Sequence, residues 1–207
     1  MATKDVFLDR LKRRLRDDAH PNLAHPLPAL GPTPNIGHRD LDENDLVGSF
    51  TRAAEGVSAV VHDAATFDLA AFAKRHAITS AVCGKGVDPR TFEAVGLTVL
   101  AYEGDASARA DLGVTWASAG LAATGAIVHD SDLVGGRTVS LLPRAHLVYL
   151  RKIDIVRTTS EVLRPLADRE SMPANLVLIA GPSRSGDIEN IITLGVHGPP
   201  VVEIVLV

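Results

Sequence analysis

The sequence predicts an α/β domain, a mostly parallel sheet flanked by helices, and three observations carry that prediction. From Val57 to Ala101, short apolar segments alternate with amphipathic ones at the spacing of strand–helix–strand units. The run Leu176-Val-Leu-Ile-Ala180 is apolar without alternation, the pattern of a strand covered on both faces. At 207 residues, with 46% hydrophobic and 22% charged residues, the chain has enough apolar material for one sizeable core.

Taken in order, Lys4 to Asp18 reads as an amphipathic helix. Val6, Phe7, Leu11 and Leu15 share one side, and Lys12, Arg13, Arg14 and Arg16 fill the other. Five of the 12 prolines then fall between Pro21 and Pro34, which marks an extended connector. A second helix is expected from Leu41 to Ala54, capped by Asp40 or Asp42 and ended by Gly56. Strands follow at Val57–His62, Ser80–Cys83 and Leu97–Ala101, with helices at Phe67–His76 and Pro89–Val95 between them. Right-handed crossovers are expected for such repeats.

The middle of the chain, Asp111 to Val128, is built of small residues, and Gly120 and Gly125 permit close approach of backbone or ligand. Thr138–Leu142 and His146–Leu150 read as β-rich. Thr158 or Thr159 caps a helix running to about Ala167, with Glu161 placed for a capping box. After the Leu176 strand, Gly181-Pro182 forces a turn. Asp187-Ile-Glu-Asn-Ile-Ile-Thr-Leu194 then has helical spacing up to Gly195, and Val201–Val207 closes the sequence as a strand.

Composition excludes several chemistries. Cys83 is the sole cysteine, so the chain holds no internal disulfide, no all-cysteine zinc site and no iron–sulfur cluster of its own. The thiol, at a strand end, reads as a buried bystander. The formal charge of −4 argues against nucleic acid or an anionic membrane as the main partner. No apolar signal core and no membrane-length run is present, so a cytoplasmic protein is expected. The eight histidines show no metal-ligand spacing, so no metal is expected either. Neither a P-loop nor a Gly-x-Gly-x-x-Gly fingerprint occurs.

The candidate site lies between the Leu176 strand and the expected helix. Free backbone N–H groups there, with the Ser183 and Ser185 hydroxyls and the planar fork of Arg184, suit a carboxylate or phosphate. Ser183, Ser185 and Asp187 serve equally as helix caps, and Asp187 fits that role better than a reactive one. Thr124 and Gly125 are candidates for an opposite wall. His197, between Gly195 and Gly198-Pro199, either closes the pocket or meets the last helix carbonyls.

Asp111-Leu-Gly-Val-Thr115, Ala123-Thr-Gly125, Leu142-Pro-Arg-Ala-His146, Gly181-Pro-Ser-Arg-Ser-Gly-Asp-Ile-Glu189 and Gly195-Val-His-Gly-Pro199 occur in this order, and together they resemble the LUD domain family, on its lactate-utilisation side. The resemblance runs from about Leu41 onward. It implies an N-terminal helix and proline-rich connector over residues 1–40 and a LUD-like α/β domain over 41–207, similar in fold to the sugar-phosphate isomerase and CoA-transferase superfamily. It further implies a cluster-free component of a system oxidising L-lactate to pyruvate, with the iron–sulfur clusters on partner subunits and no cofactor bound by this chain. An alternative is a stand-alone enzyme or binding protein for a phosphorylated or CoA-linked metabolite. Ala123 stands where many relatives have Glu; the CoA-transferase branch uses a glutamate as covalent nucleophile, so this position gives no support to CoA transfer. Ser185 stands where Thr is usual, and its hydroxyl makes the same bonds.

Overall fold

Residues 41–167, 173–186, 192–194 and 198–207 are described by the computed structural model. The expected N-terminal helix and connector, Asp187 and His197 lie outside the described residues.

Six parallel strands form the main sheet: β1 (Val60–Asp63), β2 (Ser80–Cys83), β3 (Thr98–Leu100), β4 (Leu112–Trp116), β7 (Ala145–Leu150) and β12 (Val201–Leu206). Their spatial order is β1-β12-β7-β4-β2-β3. Side chains alternate across this sheet with period 2. On one face Leu112, Val114, Leu147 and Val205 pack with Phe72 of helix α2 (Leu69–Arg75) and Phe92 of α3 (Arg90–Glu93). On the other, Val148, Leu150, Val202 and Ile204 pack with Phe50 and Ala54 of α1 (Leu46–Gly56) and with Ile127 and Ile155.

Those last two residues belong to a second sheet that the sequence did not foretell. It comprises β5 (Ala119–Leu121), β6 (Ala126–Asp130), β8 (Ile155–Val156) and β9 (Leu176–Ile179) in the order β8-β5-β6-β9. The small residues of 111–128 thus form a strand of the main sheet followed by an antiparallel hairpin.

Several expectations need correction. The first described helix begins at Leu46, because the Asp42 side chain accepts the Asn44 N–H and closes a turn, leaving Asp45 as the cap. Val57 to Ala59 finish that helix, with Ala59 N–H bonded to Ala54 O, and β1 starts only at Val60. Thr138–Leu141 forms a single helical turn, labelled α6 after α4 (Ala106–Arg109) and α5 (Ser131–Val134). Ser140 Oγ donates to Arg137 O inside it, a local bond that competes with strand pairing. β9 is an edge strand, antiparallel to β6, with Leu178 44% exposed rather than covered on both faces. Finally, β10 (Arg184–Gly186) pairs antiparallel with β11 (Ile192–Leu194), so Ile192–Leu194 is strand where helix was expected. Ser183 therefore leads directly into a hairpin strand that contains Arg184 and Ser185. Helix α7 (Thr159–Ala167) and the strands at 80–83, 145–150 and 201–206 lie close to where the sequence put them.

β4 and β7 are joined by two polar contacts. At the amino ends, the Asp111 carboxylate accepts from Arg144 Nε at 3.0 Å and from Thr79 N and Oγ1 at 2.9 and 2.7 Å. Arg144 also donates to the His76 and Ala77 carbonyls beyond the end of α2. Burial works to raise the Asp111 pKa, but the Thr79 hydrogen bonds and the Arg144 guanidinium outweigh it and hold the carboxyl well below its usual range. Further along the pair, Thr115 Oγ1 lies 2.9 Å from His146 Nε2 and 3.0 Å from His129 Nε2, the latter on β6. One hydroxyl carries one hydrogen, so it donates to one imidazole and accepts from the other. The two rings therefore hold opposite tautomers. Both Nδ1 atoms are buried without a protein partner.

Burial pushes the His129 pKa down to about 4, and burial followed by the neighbouring His129 pushes that of His146 well below 6.5. A histidine with a lowered folded pKa stabilises the fold at pH above the unfolded value and loses that contribution as pH falls towards the folded value. Urea midpoints should accordingly decline as pH drops from about 6.5 to 4, and His129→Leu should flatten that slope. Thr115→Val, which orphans both Nε2 atoms, should cost about 1–3 kcal/mol in the same titration.

Candidate functional site

In an open parallel sheet, ligands bind beyond the carboxyl ends of the strands, where the chain reverses its direction of travel across the sheet. Here β2 is followed by β3 on one side, and the chain returns to place β4 on the other side of β2. Trp116, the last residue of β4, closes that junction by donating from Nε1 to Gly86 O in the loop after β2 (3.1 Å). Its ring lies 5.3 Å from that of Tyr149.

The open space lies one strand further along. A pocket of about 340 Å³ is lined by Trp116, Ala117, Ser118, Leu133, Val134, Arg151 and Asp154. A second lobe of about 280 Å³ shares Ser118, Leu133 and Asp154 with it and runs on past Ile153, Val162 and Leu176. Ser118 is fixed by its N–H to Val128 O, and its Oγ accepts from Asp130 N at 3.1 Å. Arg151 follows β7 directly. A 3-10 turn, Lys152–Asp154, brings Asp154 back so that its carboxylate accepts from Arg151 Nε at 2.6 Å and from Nη2 at 3.0 Å. The cleft thus has an apolar wall, a hydroxyl and an oriented guanidinium. At the rim, Leu133 is 54% and Ile153 85% exposed.

Of the residues expected from sequence, Ser183, Arg184, Ser185, Thr124 and Gly125 sit at the opposite, amino-terminal edge. Ser183 N–H donates to Pro199 O at 3.0 Å, which brings the Gly181-Pro-Ser and Gly198-Pro segments together. Only the backbone of Arg184 and Ser185 is described, as part of β10. Thr124 is exposed, and its Oγ1 accepts weakly from Ala126 N at 3.4 Å. Gly125 has φ of +67° and is buried against α1, where a Cβ would fall 2.1 Å from Ala54 N. Gly181, with φ of +72°, meets the end of the same helix, since a Cβ there would fall 2.2 Å from Val57 O. The structure therefore brings the Thr124-Gly125 and Gly181–Ser183 turns to one end of α1.

Sequence reasoning missed a buried carboxylate on β12. Glu203 is 2% exposed and accepts from His62 Nε2 at 2.6 Å through one oxygen and from His76 Nε2 at 2.7 Å through the other, with Arg75 at 3.7 Å. It ties β1 and the end of α2 to β12. The available signal was one charge in the middle of an apolar run, Val201 to Val207. Among the described residues, no group of three or more His, Cys, Asp or Glu side chains is arranged to hold a metal ion. Burial, then Asp88 and Glu93, push the Cys83 thiol up to about 11, so it remains protonated and unreactive at neutral pH. Among the described residues no helix is long and apolar enough to cross a membrane.

Comparison with known proteins adds three findings. The model of the LUD domain matches residues 104–207, half of the chain. Lactate utilization protein C of Halalkalibacterium halodurans is 41% identical over 95 residues, which is 44% of this chain and 41% of that protein. Lactate utilization protein C of Exiguobacterium is 40% identical over 103 residues, 48% of this chain and 45% of that protein. The chain spans less than half the length of these curated relatives. A crystal structure of a DUF162 family protein from Deinococcus radiodurans superposes with a TM-score of 0.56 at 24% identity, over 80% of this chain and 98% of that one, and so shares its fold.

Replacing Gly125 by Ala should cost about 2–3 kcal/mol in denaturant unfolding, from a strained φ and a collision with helix backbone. Thr124→Ala, at an exposed position, should change the unfolding free energy by less than about 0.5 kcal/mol.

Proposed function

Because the chain belongs to the LUD domain family, we propose that it is the cluster-free component of an L-lactate utilisation system, in which iron–sulfur partner subunits carry the electrons. The observation that supports this reading is the likeness to proteins named Lactate utilization protein C. Chemistry agrees with it. Oxidation of L-lactate to pyruvate releases two protons and two electrons. A chain with Cys83 alone cannot ligate an iron–sulfur cluster, so the electrons pass to another carrier. The role left to this chain is to bind a small anion, to assemble the cluster-bearing subunits, or both.

In this reading the anion contacts are Ser183, Arg184 and Ser185, with Thr124, Gly125, Asp187 and His197 around them. The meeting of Gly181–Ser183 with Gly198-Pro199, and of both glycine turns with α1, supports a single polar loop cluster at that edge. A second reading, a stand-alone enzyme or binding protein for a phosphorylated or CoA-linked metabolite, uses the same Ser183 to Asp187 loop.

Gentle affinity purification from cells grown on lactate, with an anaerobic absorption spectrum of the eluate, separates the two. Co-elution of iron–sulfur proteins with lactate-oxidising activity is the expected result. A solitary, colourless protein that binds a phosphorylated metabolite would replace it with the second reading. Arg184→Ala should weaken binding of an anion at the loop by about tenfold, the loss of one bidentate contact.

A further inference from the structure

We propose that the carboxyl-edge cleft is a binding site for a small 2-hydroxy or 2-oxo monocarboxylate, whose anionic group docks on the outer edge of the Arg151 guanidinium. A guanidinium presents five N–H groups in one plane. Asp154 takes the side edge, Nε and one hydrogen of Nη2, at 2.6 and 3.0 Å. Among the described residues Nη1 has no hydrogen-bond partner, so the end edge, with one hydrogen from each terminal nitrogen, is open. That edge matches a carboxylate bidentately, and the pair with Asp154 fixes its direction before any ligand arrives.

The same pocket supplies the remaining contacts. Ser118 Oγ accepts from Asp130 N, which leaves the hydroxyl hydrogen to donate to an oxygen on the carbon next to the carboxylate. Ala117, Leu133, Val134 and the Trp116 ring offer an apolar wall for the ligand's side chain. The second lobe, about 280 Å³, gives room for a side chain longer than a methyl group. The choice of an acid substituted at this carbon rests partly on the lactate-utilisation reading; the location rests on the cleft alone.

The test uses the full chain with acetate, L-lactate, pyruvate, 2-oxohexanoate and inorganic phosphate as probes, followed by the NMR signal of the Trp116 indole N–H and by calorimetry. Pyruvate and 2-oxohexanoate should shift that signal and bind more tightly than acetate. Arg151→Gln should weaken them by about tenfold or more. Ser118→Ala should remove the advantage over acetate. Circular dichroism of each variant establishes that it is folded. Unchanged affinity in a folded Arg151→Gln variant would overturn the site, as would phosphate binding there as tightly as the carboxylates. Either result leaves the lactate-utilisation reading standing, whereas carboxylate binding here combined with a purification from lactate-grown cells that recovers no iron–sulfur protein would keep the site and remove that reading.

Discussion

The contact between β4 and β7 is the constraint on which the rest of the domain depends. These strands lie in the middle of the six-stranded sheet, and polar pairs fasten them at two levels, Asp111 with Arg144 at the amino ends and Thr115 with His146 further along. Between the two levels sits Gly113, where a Cβ would fall 1.8 Å from Val139 O. A larger residue would push the Thr138–Leu141 turn off the sheet. The register set here, Leu112 opposite Ala145 and Trp116 opposite Tyr149, decides where the carboxyl ends of both strands fall. Those ends carry Trp116 to Ser118 and Arg151, and hence one wall of the cleft.

It follows that much of the family's motif set is architectural. Asp111 and Arg144 belong to two different motifs, and they meet to anchor α2 through its terminal carbonyls. Thr115 and His146 come from the same two motifs and meet again across the sheet, while His129 of β6 adds the second sheet to the same hydroxyl. Gly125 is set by the backbone of α1. None of these side chains faces the cleft. The polar groups there, Ser118, Arg151 and Asp154, lie outside the motifs by which the family resemblance was read.

This division explains what the sequence disclosed. The α/β alternation was legible because most strands of the main sheet are local apolar runs and the first two described helices have their own caps, Asp45 for α1 and Asp68 for α2. The second sheet was not legible, since its pairs join Gly120 to Ile155 and Ile127 to Ile179, and no local pattern encodes such distant partners. Thr138–Leu142 misled because β-branched residues followed by leucines resemble a strand, whereas close packing on Gly113 favours a turn of helix. Ile191, Ile192 and Leu194 have spacing that suits a helix, yet Thr193 between them alternates equally well with a strand, and the pairing with Arg184–Gly186 decided it. The cleft was invisible for a related reason: its lining comes from 116–118, 133–134 and 151–154, and only the fold brings these together.

The Arg151–Asp154 pair also sets the strength of binding to be expected at the cleft. The guanidinium charge is already shared with a carboxylate, so a second anion meets a nearly neutral unit and gains little from long-range attraction. What remains is directional, two hydrogen bonds on a fixed edge plus apolar contact with the wall. Such a site discriminates by shape and by the oxygen beside the carboxylate, and it releases its ligand readily.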